Sequence, residues 1–166
     1  QTPTQSNIIY QDAFTLENSD LIFANNSIYF SNNKNELFSI DARSGIVNWK
    51  QKVNSKLTPI VIENLLFSIS NEGYLFVIDS NKGNIIRVTN ILKNIENKKN
   101  KIKPEGFIIA KNKIYLSLNN GRLLKFNAVT GAQENIYKLG KSKIVRPNIF
   151  NNSMYLLKKN AIIKTD

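Results

Sequence analysis

The 166-residue chain contains no cysteine and no histidine, and only four prolines, seven glycines, one tryptophan and one methionine. Without cysteine there can be no disulfide, thiolate nucleophile or cysteine-based metal site. Without histidine the commonest general base and the commonest zinc ligand are both missing, which leaves twelve scattered carboxylates, lysine and tyrosine for acid–base chemistry. An enzyme is therefore not expected. No apolar run approaches the roughly 20 residues that a membrane-spanning helix needs. The opening "QTPTQSNIIY" has the form of neither a signal peptide nor an amphipathic transit sequence, so the chain is expected either to be cytosolic or to begin after a targeting segment. Hydrophobic residues make up 42%, enough for a core in a chain of one-domain size.

What the chain does have is internal repetition. Asp41, Asp79, Asn127 and Asp166 each close a strand-like run, "LFSID", "LFVID", "LLKFN" and "IIKTD", at intervals of 38, 48 and 39 residues. Gly45, Gly83 and Gly131 follow the first three of these, four residues on each time. Asn26, Asn64, Asn112 and Asn152 form a second column with intervals of 38, 48 and 40, and Tyr29, Phe67, Tyr115 and Tyr155 a third, three residues further on. Asn35, Gly73, Gly121 and Asn160 form a fourth, made only of residues that tolerate positive φ. Independent columns that agree on their spacing define a repeat.

Each unit reads as strand A, a tight Asn turn, strand B, an Asn/Gly turn, strand C, an Asx turn closed by glycine, and strand D. A four-stranded antiparallel meander every 40 to 45 residues is the blade period of a β-propeller, so the expected fold class is all-β, a β-propeller of four-stranded blades. Nearly unbroken apolar runs such as "PIVI" and "FII" fit strands covered on both faces. The expected domain is a single propeller segment: a lone D strand at 8–14, full blades at 20–53, 58–91 and 106–140, a blade without strand D at 146–166, and a lysine-rich insertion at 92–105. That is about four blades' worth, and an unpaired D strand ahead of a D-less blade suggests that two copies could close one ring as a homodimer.

The stretch "SIDARSGIVNW" resembles the repeat of the pyrroloquinoline-quinone-type (quinoprotein-like) propellers, A-x-D-x-x-T-G-x-x-x-W. Ser39 stands for the Ala, Asp41 for the Asp, Ser44 for the Thr, Gly45 for the Gly and Trp49 for the Trp. In the second repeat Asp79 and Gly83 fit while Arg87 replaces the Trp; in the third Asn127, Thr130 and Gly131 fit while Asn135 replaces it. The resemblance implies half of an eight-bladed ring, with Trp49 packed between blades. Its family includes non-catalytic BamB-like lipoprotein scaffolds of the outer-membrane β-barrel assembly machinery and periplasmic quinone-dependent alcohol dehydrogenases. The expected function is the first: a protein-interaction scaffold in the periplasm, associated with the outer membrane. The alternative is a fragment of a quinone-dependent dehydrogenase whose active site lies outside the chain.

No catalytic, cofactor or metal residue is expected. The turns "DARSG", "DSNKG" and "NAVTG" offer at most one carboxylate each, far from the several oxygens calcium takes. Asp41, Gly45, Trp49, Asp79, Gly83, Asn127 and Gly131 are therefore structural repeat positions. Charge is the uneven feature. Residues 1–90 carry 7 Lys and Arg against 8 Asp and Glu, whereas residues 91–166 carry 16 against 4. Lys93, Lys98, Lys99, Lys101 and Lys103 crowd the insertion and are the candidate partner-binding residues, suited to an acidic protein or a membrane-assembly component. Nucleic acid is not expected as a partner, because there are four arginines and no basic motif interleaved with aromatics.

Overall fold

The computed structural model describes residues 16–93, 95, 102–159 and 161–165. The expected lone strand at 8–14, and Lys98, Lys99 and Lys101, lie outside the described residues. Among the described residues, fifteen strands form four separate antiparallel meanders. Sheet I holds β1 (Ile22–Ala24), β2 (Ser27–Asn32), β3 (Glu36–Asp41) and β4 (Val47–Gln51). Sheet II holds β5 (Ile60–Ile62), β6 (Leu65–Ile69), β7 (Tyr74–Asp79) and β8 (Ile85–Asn90). Sheet III holds β9 (Pro104–Ala110), β10 (Lys113–Leu118), β11 (Arg122–Asn127) and β12 (Gln133–Lys138). Sheet IV holds β13 (Asn148–Phe150), β14 (Ser153–Lys158) and β15 (Ala161–Thr165). The fold is all-β, and its sheets are propeller blades. Strand β9 begins at Pro104, two residues inside the segment read from the sequence as insertion, because a register shift between Ser117 and Leu118 lets Leu118 pair with Pro104.

The turns explain the columns. Between the first two strands of each blade, Asn25 and Asn26, Glu63, Lys111 and Asn112, and Asn151 and Asn152 have positive φ, the conformation that matches a two-residue hairpin to strand twist. The turns after the second strand place Asn35, Gly73 and Gly121 at φ 64, 85 and 76. After the third strand comes the Asx turn. Asp41 Oδ1 accepts from Arg43 N (3.1 Å) and Ser44 N (2.7 Å), Asp79 Oδ1 from Asn81 N (2.9 Å) and Lys82 N (3.0 Å), and Asn127 Oδ1 from Val129 N (2.9 Å) and Thr130 N (3.0 Å). Each turn then closes with a glycine N–H donating to the carbonyl of that same Asp or Asn. Asparagine replaces aspartate at 127 without loss because the turn uses only an acceptor oxygen.

Every sheet has a forward and a backward face, and the core lies between successive sheets. Tyr29, Leu37 and Trp49 look forward from sheet I onto Leu66, Phe76 and Ile78 of sheet II. Phe67, Ile69, Leu75 and Val77 look forward from sheet II onto Phe107, Ile114, Leu116, Leu124 and Phe126. Tyr115 and Leu123 meet Met154, Leu156 and Ile163 of sheet IV. The inner strands of sheets II and III are thus covered on both sides, which is why stretches such as Ile60–Ile62 and residues 107–109 are unbroken apolar runs, whereas the outer strands β8 and β12 stay largely exposed.

Candidate interaction surface and interblade contacts

Trp49 sits between blades I and II. Its Nε1 donates to Ser80 O (2.8 Å), its ring lies 6.0 Å from that of Tyr29, and a Cβ added at Gly83 would fall 2.7 Å from its Cγ and Cδ2. Gln51 Nε2 donates to Gly83 O (2.7 Å). The outer strand of one blade therefore clasps the Asx turn of the next. Arg87, at the equivalent place in blade II, keeps the clasp by other chemistry. Its guanidinium donates to Ala128 O (2.8 Å) and to Val129 O, beside Gly131. Desolvation lowers its pKa from the usual arginine value, yet a guanidinium remains charged, and the backbone carbonyls meet part of its donor demand. A register shift sits just before each such side chain, between Ser39 and Ile40, Val77 and Ile78, and Lys125 and Phe126, where a bulge re-aims the outer strand. Asn135, in the third repeat, turns its side chain to Ile136 N of its own strand.

The loops that join consecutive blades and the turns after each second strand emerge on one end of the sheets. Asn71 N donates to Asn54 O (2.8 Å), Ile91 N to Gly73 O (3.0 Å), Asn119 N to Lys103 O (3.1 Å) and Leu139 N to Gly121 O (2.9 Å). Both ends of the lysine-rich insertion are fixed this way. Leu92 packs on Gly73, and Lys103 N also donates to Asn119 Oδ1 (3.0 Å). Lys93 and Lys103 are exposed at these two anchor points.

On the same end lies a cleft of ≈550 Å³. Three successive interblade loops bring Lys56, Lys103 and Lys143 to it, with Asn54, Asn71, Glu72 and Glu105 among its other walls. Lys143 pairs with Glu105 (2.5 Å) and Lys56 with Glu17, while Asn54 Nδ2 donates to Glu72 Oε1 (2.6 Å). Lys103 has no acidic partner among the described residues. Of the candidate partner-binding lysines, the structure brings Lys103 to the cleft; Lys56 and Lys143 were not singled out from the sequence. They sit 47 residues before and 40 residues after Lys103, outside the lysine-rich run, and only the stacking of blades joins them.

A family model described as outer membrane protein assembly factor BamB matches residues 2–89, more than half of the chain. The chain belongs to that family. No curated protein sequence matches it. Among solved structures, BamB from Moraxella catarrhalis superposes with a TM-score of 0.69 at 13% identity, covering 88% of this chain and 41% of that one. The computationally designed Ika4 protein gives 0.69 at 12% identity, covering 91% and 90%. Sqt1 from Saccharomyces cerevisiae gives 0.71 at 14% identity, covering 89% and 45%. At these identities the structural likenesses establish the propeller fold. The chain spans about two fifths of the Moraxella BamB chain.

Proposed function

We propose that this BamB-family chain is a non-catalytic protein-interaction scaffold of the bacterial envelope, periplasmic and outer-membrane-associated, and that it captures an acidic partner on the end where the interblade loops emerge. The observation that carries this reading is the delivery of Lys56, Lys103 and Lys143 to one cleft by three separate loops, beside an insertion with further lysines. Membership of a family described as an assembly factor supports the scaffold role and the compartment. The stacking of the sheets brings the three lysine-bearing loops to one surface. A positive field of this kind raises the encounter rate with an acidic segment and weakens as salt screens it over about 8 to 10 Å. Partly exposed ion pairs such as Lys143 with Glu105 contribute little on their own, about 0–1 kcal/mol, and can open to admit a competing carboxylate.

Fluorescence anisotropy with a labelled glutamate-rich peptide tests the proposal. Binding is expected at low ionic strength, weaker with added salt, and weaker again when the cleft lysines Lys56, Lys103 and Lys143 are changed to glutamine. That variant should melt at nearly the parent temperature. No binding at low salt, or equal binding by parent and variant, would remove the basic end from the functional account.

A further inference from the structure

Equivalent positions of the repeat have very different exposure at the two ends of the stack. The forward-facing position at the start of the third strand is Leu37, Leu75, Leu123 and Ile162. The first three are 0%, 0% and 3% exposed, covered by the blade that follows, whereas Ile162 is 69% exposed. Phe150 and Leu157 lie on the same forward face of blade IV and are exposed as well. The backward face shows the converse. Leu66 and Ile78 of blade II are both 0% exposed under blade I. Their counterparts in blade I, Ile28 and Ile40, are only partly covered, and Phe23 on that face is 69% exposed. Phe30 and Phe38 stack there with centroids 5.1 Å apart.

The two open faces are therefore the two halves of the interface that the chain makes three times within itself. One is an apolar forward face, and the other is the apolar backward face that receives it. Contiguous open apolar residues on a folded protein mark an association surface. We propose that the partner is a second copy of this chain, with the forward face of blade IV of each copy packed on the backward face of blade I of the other. Two such contacts related by a two-fold axis close a ring and leave neither face open. The interface is formed by sheet faces and is separate from the lysine cleft, so either proposal can fail without the other.

Sedimentation equilibrium of the 166-residue chain should give twice its 18.9 kDa mass. Ile162→Asp and Phe23→Asp should each sediment as monomers with an unchanged far-UV circular dichroism spectrum. Ile86→Asp, at an exposed residue on β8 that faces neither interface, should stay dimeric. Mixing the Ile162→Asp and Phe23→Asp variants should restore a heterodimer, because one undamaged forward face then meets one undamaged backward face. A monomeric parent, or a dimer that survives Ile162→Asp, would overturn the proposal. A mixture that stays monomeric would equally overturn the head-to-tail geometry.

Discussion

Gly45 and Gly83 occupy the same repeat position at φ 72 and 75, but their surroundings differ. An added Cβ at Gly45 meets nothing within 4 Å, whereas at Gly83 it falls 2.7 Å from Trp49 Cγ and Cδ2. Alanine at either site carries the left-handed backbone cost of about 1–2 kcal/mol, partly offset by about 0.4–1 kcal/mol because alanine also restricts the unfolded chain. Gly45→Ala should therefore destabilise by about 1 kcal/mol. Gly83→Ala adds the overpacking cost of about 1–3 kcal/mol and threatens the Trp49–Ser80 hydrogen bond, for a total of about 2–4 kcal/mol. Urea unfolding followed by tryptophan fluorescence measures both, and Trp49→Ala alone and with Gly83→Ala, followed by circular dichroism, completes a double-mutant cycle. The cycle should show that most of the excess cost at Gly83 vanishes once the indole is gone. Equal costs at Gly45 and Gly83, or an excess that persists without Trp49, would refute the clasp as the reason for glycine at 83.

Other outcomes are testable. Arg87→Ala should cost about 1–3 kcal/mol through the lost bonds to the 128–129 carbonyls, measured by urea unfolding. The Asp41 carboxyl is held below its ordinary value by bonds from Ser44, that of Glu36 by Lys50 and Asn32, and that of Glu134 chiefly by Lys113. Depressed carboxyl pKa values contribute stability above the ordinary carboxylate range and lose it as pH falls through the folded values. The urea midpoint should therefore drop as the pH falls below about 5, through the ordinary carboxylate range and beyond it. Asp41→Asn, the arrangement that position 127 already uses, should make that drop shallower.

Much of the fold was legible because its turns demand particular residues. The columns at Asn26, Asn35, Asp41 and Gly45 mark places where backbone conformation or a turn acceptor restricts the choice, and such restriction repeats even where the strands between drift. The clasp was only half legible. Arg87 reads as a lost tryptophan, and only the geometry shows that a guanidinium can reach the same turn by bonding its carbonyls. The cleft was the least visible. Lys56 belongs to the half of the chain with no excess of positive charge, and no period links it to Lys143, because interblade loops need only span a gap and so keep no common register.

The clasps run in one direction, and that gives the chain a schedule. The acceptor for Trp49 is made 31 residues after it, and the acceptor for Arg87 41 residues after it. At a synthesis rate of about 5–20 residues per second, a finished sheet waits about 2 to 8 s for the turn that secures it. The growing chain thus always carries one uncovered apolar face at its newest blade.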